Sequence, residues 1–445
     1  MTTVNPEDVR TGPLAPQGPL PVRGAPRRTS WLATLRAALD RPLTSYYLLI
    51  GASALLLTIG LVMVLSASSV YSFKVYDNSY AVVRRQLMWA VIGLSFALIA
   101  SRMSVRWMRR FVVPAFAVCL ALLLLTAFRG TEINGNQNWL SIGPLAIQPS
   151  ELAKLALVLW AAHVYANKER RLRSLHQMLV PVVPGMSLAI ALVVLGRDVG
   201  TALVFFAILV GLLWVVGVPG RMFTIALLIV STLVIVLATS SRERMARITT
   251  FVDPFKDFEG NGWQPAHGLY ALSSGGWFGE GIGASQQKWG SLPEAHTDFI
   301  FAVLGEELGL AGTLLVVGLF LTTAFAALRV ARDTLDPFVR YATFGIVVWL
   351  VGQMIVNVGM VLALLPVIGI PLPLISYGGS SLVPTLVALG LLVGFARREP
   401  AAARALSQRR KVRSAGLSSD RGPRRRPGRA GHSAADAAPA RRPRA

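Results

Sequence analysis

Cysteine is almost missing from this chain. Its 445 residues hold one, Cys119, so no internal disulfide can form and no cysteine cluster can bind zinc. Cys119 lies within an apolar run and reads as a small packing residue. Charge is also scarce, at 15% of residues against 53% hydrophobic, with a mean hydropathy of +0.55. That balance excludes an ordinary soluble domain of this size. A cleavable signal peptide is not expected either. The first apolar run begins near Tyr46 behind a long polar lead rich in Pro and Arg, and it reads as a first spanning helix that also directs insertion. Acids are scarcer than bases, 22 against 44, which leaves a formal net charge of +22. In a soluble protein that excess would suggest nucleic acid. Here no aromatic residues interleave the arginines of the basic tail, so nucleic acid is not the expected partner.

What is there is a series of apolar runs long enough to cross a bilayer. Ten spans are expected, at about 45–66, 84–101, 110–127, 149–166, 178–196, 199–217, 221–240, 300–328, 340–364 and 380–396. The fold expected is an all-α polytopic membrane protein with about ten transmembrane helices. An even number puts both termini on one side. With that side cytoplasmic, the inner segments hold 33 Lys and Arg against 9 acids, and the outer segments 10 against 10. This is the positive-inside pattern. Residues 1–43 form a disordered cytoplasmic lead, 44–398 the membrane domain, and 399–445 a disordered basic tail. The tail carries solvated charge near anionic lipid or docks an acidic partner. No strong internal repeat is visible, which argues against inverted-repeat transporter plans.

Chemistry is expected on the outer face, where three loops are long: 67–83, 128–148 and 241–299, the last being the large extracytoplasmic loop between helices 7 and 8. That loop ends in Leu292-Pro293-Glu294-Ala295-His296-Thr297-Asp298-Phe299, so a carboxylate stands where a polar loop meets a hydrophobic helix. Such a group is costly unless it is paired or used. The fourth span opens Gln148-Pro149-Ser150-Glu151, and Lys154 lies about a turn inside it, three residues from Glu151 on the same face. Two readings are open: an intrahelical ion pair that helps insertion, or a cation for an anionic headgroup. Trp139, in the preceding loop, is an interface anchor or a platform for a sugar. Asp198 is a helix cap or a site residue. Arg247 binds a diphosphate or pairs with Asp253. Near the end, Ser376-Tyr377-Gly378-Gly379-Ser380 follows a proline-rich break at Pro366–Pro373, and the amides of Gly378, Gly379 and Ser380 could hold an anion or form a hinge.

These motifs, together with Gly305-Glu306-Glu307-Leu308-Gly309 and Pro371-Leu372-Pro373, resemble the SEDS family of shape, elongation, division and sporulation proteins. The resemblance runs from about residue 44 to 398. The Arg41-Pro42-Leu43-Thr44-Ser45 entry and the long tails resemble the actinobacterial form of its division member. The resemblance implies a peptidoglycan glycosyltransferase that polymerises lipid II outside the cytoplasmic membrane, with a class B penicillin-binding protein as partner and a place at the division septum. It maps the family's essential aspartate onto Asp298 and its Glu and Lys onto Glu151 and Lys154. Two departures stand out: Asn138 replaces an Arg often found before the loop tryptophan, and Gly196-Arg197-Asp198-Val199-Gly200 differs from the family's usual turn.

The residues suit that reaction. A sugar hydroxyl needs one base, and Asp298 can supply it, with His296 and Glu294 beside it. A diphosphate leaves without a carboxylic acid, unlike the leaving group of a glycosidase. Its departing charge needs cations: Lys154, Arg247 or a divalent metal (Mg or Mn), although no cofactor is required by the motifs. A single displacement inverts the anomeric carbon. Gln148, Ser376, Gly378, Gly379 and Ser380 complete the expected substrate contacts. The rival classes are a lipid-linked precursor flippase and a division scaffold whose tails recruit cytoplasmic partners. A flippase would distribute ionisable groups through the full depth of the bundle; here they gather at the outer face. No role is assigned to Glu306 and Glu307.

Overall fold

The computed structural model describes residues 41–133, 136–142, 145–239, 253–260, 262–405 and 407–408. Arg247 lies outside the described residues, as do the 1–40 part of the expected lead and the tail from 409. Twelve α-helices organise the described chain: α1 Thr44–Tyr76, α2 Ala81–Arg102, α3 Val105–Arg129, α4 Pro149–Lys168, the short α5 Leu175–Leu179, α6 Val182–Leu195, α7 Val199–Val216, α8 Gly220–Thr239, α9 Trp263–Ser274, α10 Ile300–Asp333, α11 Pro337–Val361 and α12 Gly379–Ala396. Among the described residues eight helical segments are long and apolar enough to cross a membrane: α1, α2, α3, the α5–α6 pair, α7, α10, α11 and α12. The helices α4 and α8 occupy the fourth and seventh expected positions.

Local chemistry sets the ends. The Ser104 hydroxyl accepts from Trp107 N at 3.4 Å to start α3, and the Asp336 carboxylate accepts from Phe338 N at 2.9 Å to start α11, with Pro337 in its first turn. The expected fifth span is interrupted at Val180-Pro181, since proline lacks an amide and restricts the residue before it. At the opposite end from Asp298 the basic clusters meet. Arg109 bonds Asn167, Arg340 pairs with Glu169 at 3.1 Å, and Arg398 reaches the Met103 carbonyl. The expected tail does not begin in disorder: residues 400–405 are helical and Ala402 is buried.

Two expectations about loops are corrected. The 67–83 segment is mostly helix, because α1 runs on to Tyr76 and ends at Asp77 in a left-handed conformation (φ 53°). At about 1.5 Å per residue, 33 residues reach about 50 Å, well beyond a hydrocarbon core of about 30 Å. The extension packs on the loop before α10: Tyr71 stacks on His296 and Lys74 Nζ donates to the Trp289 carbonyl at 3.4 Å. Within the 128–148 loop the described residues form a small antiparallel sheet of β1 Thr131–Ile133, β2 Asn136–Ile142 and β3 Leu145–Ile147, in the order β1-β2-β3. On the other flank α12 lies tightly on α2, where Gly390 and Gly394 meet the backbones of Ala97 and Ser101.

Candidate active site

The loop that carries Asp298 is folded on itself. Glu294 takes a left-handed conformation (φ 54°), and its carbonyl accepts from both Thr297 N at 3.1 Å and Phe299 N at 3.2 Å. The Thr297 hydroxyl donates to Glu294 Oε2 at 2.5 Å. His296 stacks on Tyr71 of α1, ring centroids 4.8 Å apart, and leans on Tyr377 at 5.6 Å. Tyr377 N donates to the His296 carbonyl at 2.9 Å, which joins the Asp298 loop to the segment before α12. The Asp298 carboxylate accepts no hydrogen bond among the described residues. It lies against Gly369, where an added Cβ would stand 3.3 Å from Asp298 Oδ2. Burial pushes its pKa up to about 7, and the nearby charge of Glu294 adds to the rise. Burial pushes His296 below its ordinary value, with Glu294 offsetting part of that.

The fourth span delivers its pair to the same region through α11. Lys154 Nζ donates to Glu151 Oε1 at 2.7 Å and to Gln353 Oε1 at 3.1 Å, and all three side chains are buried. Gln353 also accepts from Trp349 Nε1 at 2.8 Å and donates to the Pro371 carbonyl at 2.8 Å. One turn further along, Asn357 Nδ2 donates to the carbonyls of Asp298 and Ile370, both at 2.8 Å. Two amides on one face of α11 thus link the Glu151–Lys154 pair, the proline-rich strap and Asp298. The sequence reading missed both. Their signal was present: polar side chains four apart in an otherwise apolar helix, which in a membrane need internal partners.

This arrangement has counterparts. Residues 46–400 match the model of a family of cell cycle proteins comprising FtsW, RodA and SpoVE. The chain belongs to the FtsW/RodA/SpoVE family. It is 41% identical over 402 residues to a probable peptidoglycan glycosyltransferase FtsW of Mycobacterium tuberculosis, covering 90% of this chain and 75% of that one. It is 36% identical over 352 residues to the stage V sporulation protein E of Bacillus subtilis, covering 79% and 96%. Among solved structures it resembles a chain of a peptidoglycan synthase complex that coordinates polymerization and crosslinking, with a TM-score of 0.65 at 28% identity over 79% of this chain and 97% of that one. It also resembles the rod shape determining protein RodA of Thermus thermophilus, with a TM-score of 0.58 at 28% identity over 80% and 97%. Like them it is a multi-pass bacterial membrane protein of helical architecture.

The other expected residues of this FtsW/RodA/SpoVE chain divide into two groups. Gln148 is drawn to Asp198, not to Asp298: Gln148 Nε2 and Asn138 Nδ2 donate to Asp198 Oδ2 at 3.3 and 2.9 Å. Asp198 itself caps α7, accepting from Thr201 N at 2.9 Å and Thr201 Oγ1 at 2.8 Å. Trp139 lies on β2 next to Asn138, paired with Thr131, and Gln148, the residue before α4, joins the Asn138–Asp198 cluster to the Glu151 end of that helix. Arg197 faces Glu132 at 3.9 Å, both exposed. In the glycine-rich segment the free-amide expectation is corrected at Gly378, whose N–H donates to Gln86 Oε1 at 3.2 Å. Gln86 Nε2 in turn donates to the Ser376 carbonyl at 3.2 Å, and the Ser376 hydroxyl accepts from Leu372 N at 2.7 Å. Gly379 packs on the Trp89 indole and Ser380 is half-buried in the first turn of α12. Ser376 and Gly378 therefore fasten the strap to α2. Arg85 was also missed. Its side chain donates to Tyr76 Oη at 3.3 Å and lies over the Tyr76 ring, 4.9 Å from its centroid.

Glu306 and Glu307 acquire a role. Lys288 Nζ donates to Glu307 Oε1 at 3.2 Å and to Ser66 Oγ at 3.1 Å, and Ser66 donates to the same carboxylate oxygen at 2.5 Å. Glu306 accepts from Ser285 Oγ at 2.5 Å and Gln286 N at 2.8 Å. All of these except Gln286 are buried. The two carboxylates pin the large loop to α10 and α1, some ten residues before Asp298.

Proposed function

We propose that this chain polymerises lipid II into glycan strands on the outer face of the cytoplasmic membrane, with both termini on the cytoplasmic side. It is a glycosyltransferase of the peptidoglycan class. The observation that carries the mechanism is the state of Asp298: a carboxylate with no hydrogen-bond donor among the described residues and a pKa near 7. Such a group is free to take a proton from an acceptor sugar hydroxyl at neutral pH. The oxygen then attacks the anomeric carbon of the lipid-linked donor, the C–O bond to the diphosphate breaks, and the diphosphate departs with the electron pair and its charge. A single displacement inverts that carbon.

Lys154 is the buried cation best placed to receive charge. Two of its donors are used by Glu151 and Gln353, which fix its direction and leave one for a phosphate oxygen. The Asp198 cluster with Trp139 lies beside the same helix end and supports contacts to the lipid-linked headgroup. A divalent cation would find Asp298 and Glu294. Among the described residues no three His, Cys, Asp or Glu side chains converge, so those two carboxylates would be its protein ligands there.

A class B penicillin-binding protein fits as the partner that crosslinks the product, and the division septum as the location. The deciding experiment is polymerisation of lipid II by the purified chain with such a partner. Asp298→Ala and Asp298→Asn are expected to lose at least about a hundredfold in rate. A wild-type rate in either variant overturns the assignment. Movement of the headgroup across proteoliposomes without any polymer supports a flippase instead.

A further inference from the structure

Part of the large loop folds back as a hairpin beside α10. The helix α9 starts at the level of the Asp298 loop, where Trp263 Nε1 donates to the Ser291 carbonyl at 2.6 Å and Gln264 Nε2 to the Pro293 carbonyl at 3.2 Å. It then descends alongside α10: Gly268 faces the Phe299 ring, Leu272 faces Gly305, and Gly275 abuts the Gly305 carbonyl. The chain turns at Trp277-Phe278 and climbs back, Glu280 N donating to the Glu306 carbonyl at 2.9 Å and Gly281 N to that of Glu307 at 3.1 Å. At the turn α10 is broken. Gly309 has φ 67° and ψ −165°, and the amides beyond it leave the helix ladder. Leu310 N donates to the Gly276 carbonyl at 2.9 Å and Ala311 N to the Trp277 carbonyl at 3.1 Å. Hairpin and broken helix thus satisfy each other's backbone.

The depth of the tip follows from the register. Between Glu307 and Arg329, residues 310–328 carry no charge. Nineteen helical residues span about 28 Å, which matches a hydrocarbon core of about 30 Å. With Arg329 at one boundary, Leu310 lies at the other, and the tip bonded to residues 310 and 311 lies there too. At that level Trp277 is 73% exposed, Phe278 85% and Ile282 65%. Below them on α10, Leu314 and Leu315 are also exposed. A wet tip would leave two large aromatic rings and an isoleucine in water. The headgroup–acyl boundary is where aromatic rings gather in membrane proteins.

We propose that residues 275–283 form an interfacial anchor that seats Trp277, Phe278 and Ile282 in the phospholipid leaflet on the Asp298 side. The occupant of this surface is lipid. The returning arm is clamped by Glu306 and Glu307 and ends in Asp298, so the anchor sets the height of that carboxylate above the leaflet.

Site-directed spin labelling tests this in the full-length chain, with Cys119→Ser as background, in nanodiscs of phosphatidylethanolamine and phosphatidylglycerol. Labels go at Phe278→Cys, at Leu314→Cys as a lipid-facing reference, and at Glu259→Cys as an exposed loop reference. Collision with oxygen is compared with collision with a water-soluble nickel chelate. The label at 278 is expected to favour oxygen several-fold over the label at 259 and to approach the one at 314. A ratio equal to that at 259 places the tip in water and overturns the anchor. Loss of collision with both reagents means that protein, including a second copy of this chain, covers the tip, and overturns it equally. If Phe278→Cys does not insert, Trp277→Cys gives the same readout.

Discussion

Asn357 holds Asp298 by its main chain and leaves its carboxylate free. The Asn357 amide donates to the Asp298 carbonyl at 2.8 Å, and a second bond of equal length goes to Ile370. Positioning and chemistry are therefore divided between two residues on different elements. Asn357→Ala strands two carbonyls, at about 1–3 kcal/mol for each one left buried and unpaired. It also lets the loop drift from the strap. A displacement of about 1 Å at a reacting group costs on the order of a hundredfold. The expected outcome is a kcat lowered by about 10- to 100-fold, with the KM for lipid II little changed. Asn357→Asp, which keeps the shape but has no donor, is expected to be no better. Initial rates scaled to the folded fraction check this. Equal losses in rate and folded fraction would make Asn357 merely structural.

The raised pKa of Asp298 gives two trends of opposite sign. As a base it must be ionised, so kcat/KM rises with pH and turns over near 7. Glu294 contributes to the rise through its charge, so Glu294→Gln moves the turnover to lower pH. Stability goes the other way. Between the ordinary value of 3.8 and about 7 the folded chain keeps a proton that the unfolded chain has released. Stability therefore falls as pH climbs through that window. Rate profiles of the wild type and Glu294→Gln, taken from pH 5 to 9, test the first trend. A turnover unmoved by Glu294→Gln breaks the link between the two carboxylates.

Lys288 is the cation that makes a pair of buried carboxylates tolerable. Lys288→Met leaves Glu307 with hydroxyl and amide donors only. Breaking one side of a buried pair costs about 3–5 kcal/mol. Adding Glu307→Gln removes the stranded charge and is expected to recover most of that loss. Thermal melting of the single and double variants reads the coupling. Additive losses would show that the two residues do not act as a pair.

The spans were legible because each is a long apolar run bounded by charge or glycine, and α7, expected at 199–217, is found at Val199–Val216. The length of α1 was not legible: Tyr71, Ser72 and Lys74 look like loop until α10 and His296 are seen beside them. The small sheet escaped because two of its three strands are three residues long and carry no period to read. Asp298, Glu151 and Lys154 stood out as charges at hydrophobic thresholds. Gln353 and Asn357 did not, since an uncharged amide barely disturbs hydropathy even where its hydrogen bonds organise the site. The partners of Glu306 and Glu307 lie about twenty residues back and on α1, a distance that no local pattern bridges.

Gly369 places the strap against the base, and its replacement separates backbone strain from catalysis. Its φ is +78°, a conformation that costs an L-residue roughly 1–2 kcal/mol. An added Cβ would lie 3.3 Å from Asp298 Oδ2, tight for a carbon facing a carboxylate oxygen. Gly369→Ala therefore carries two penalties, one in stability and one at the reacting atom. Gly217 also has positive φ (88°), but a Cβ there meets nothing within 4 Å. Gly217→Ala should show the strain alone. Both variants are expected to melt lower by similar amounts, while Gly369→Ala alone loses polymerisation, by about tenfold or more for a displaced base. If both keep the wild-type rate per folded molecule, Gly369 shapes the strap without touching the chemistry, and the contact with Asp298 is incidental.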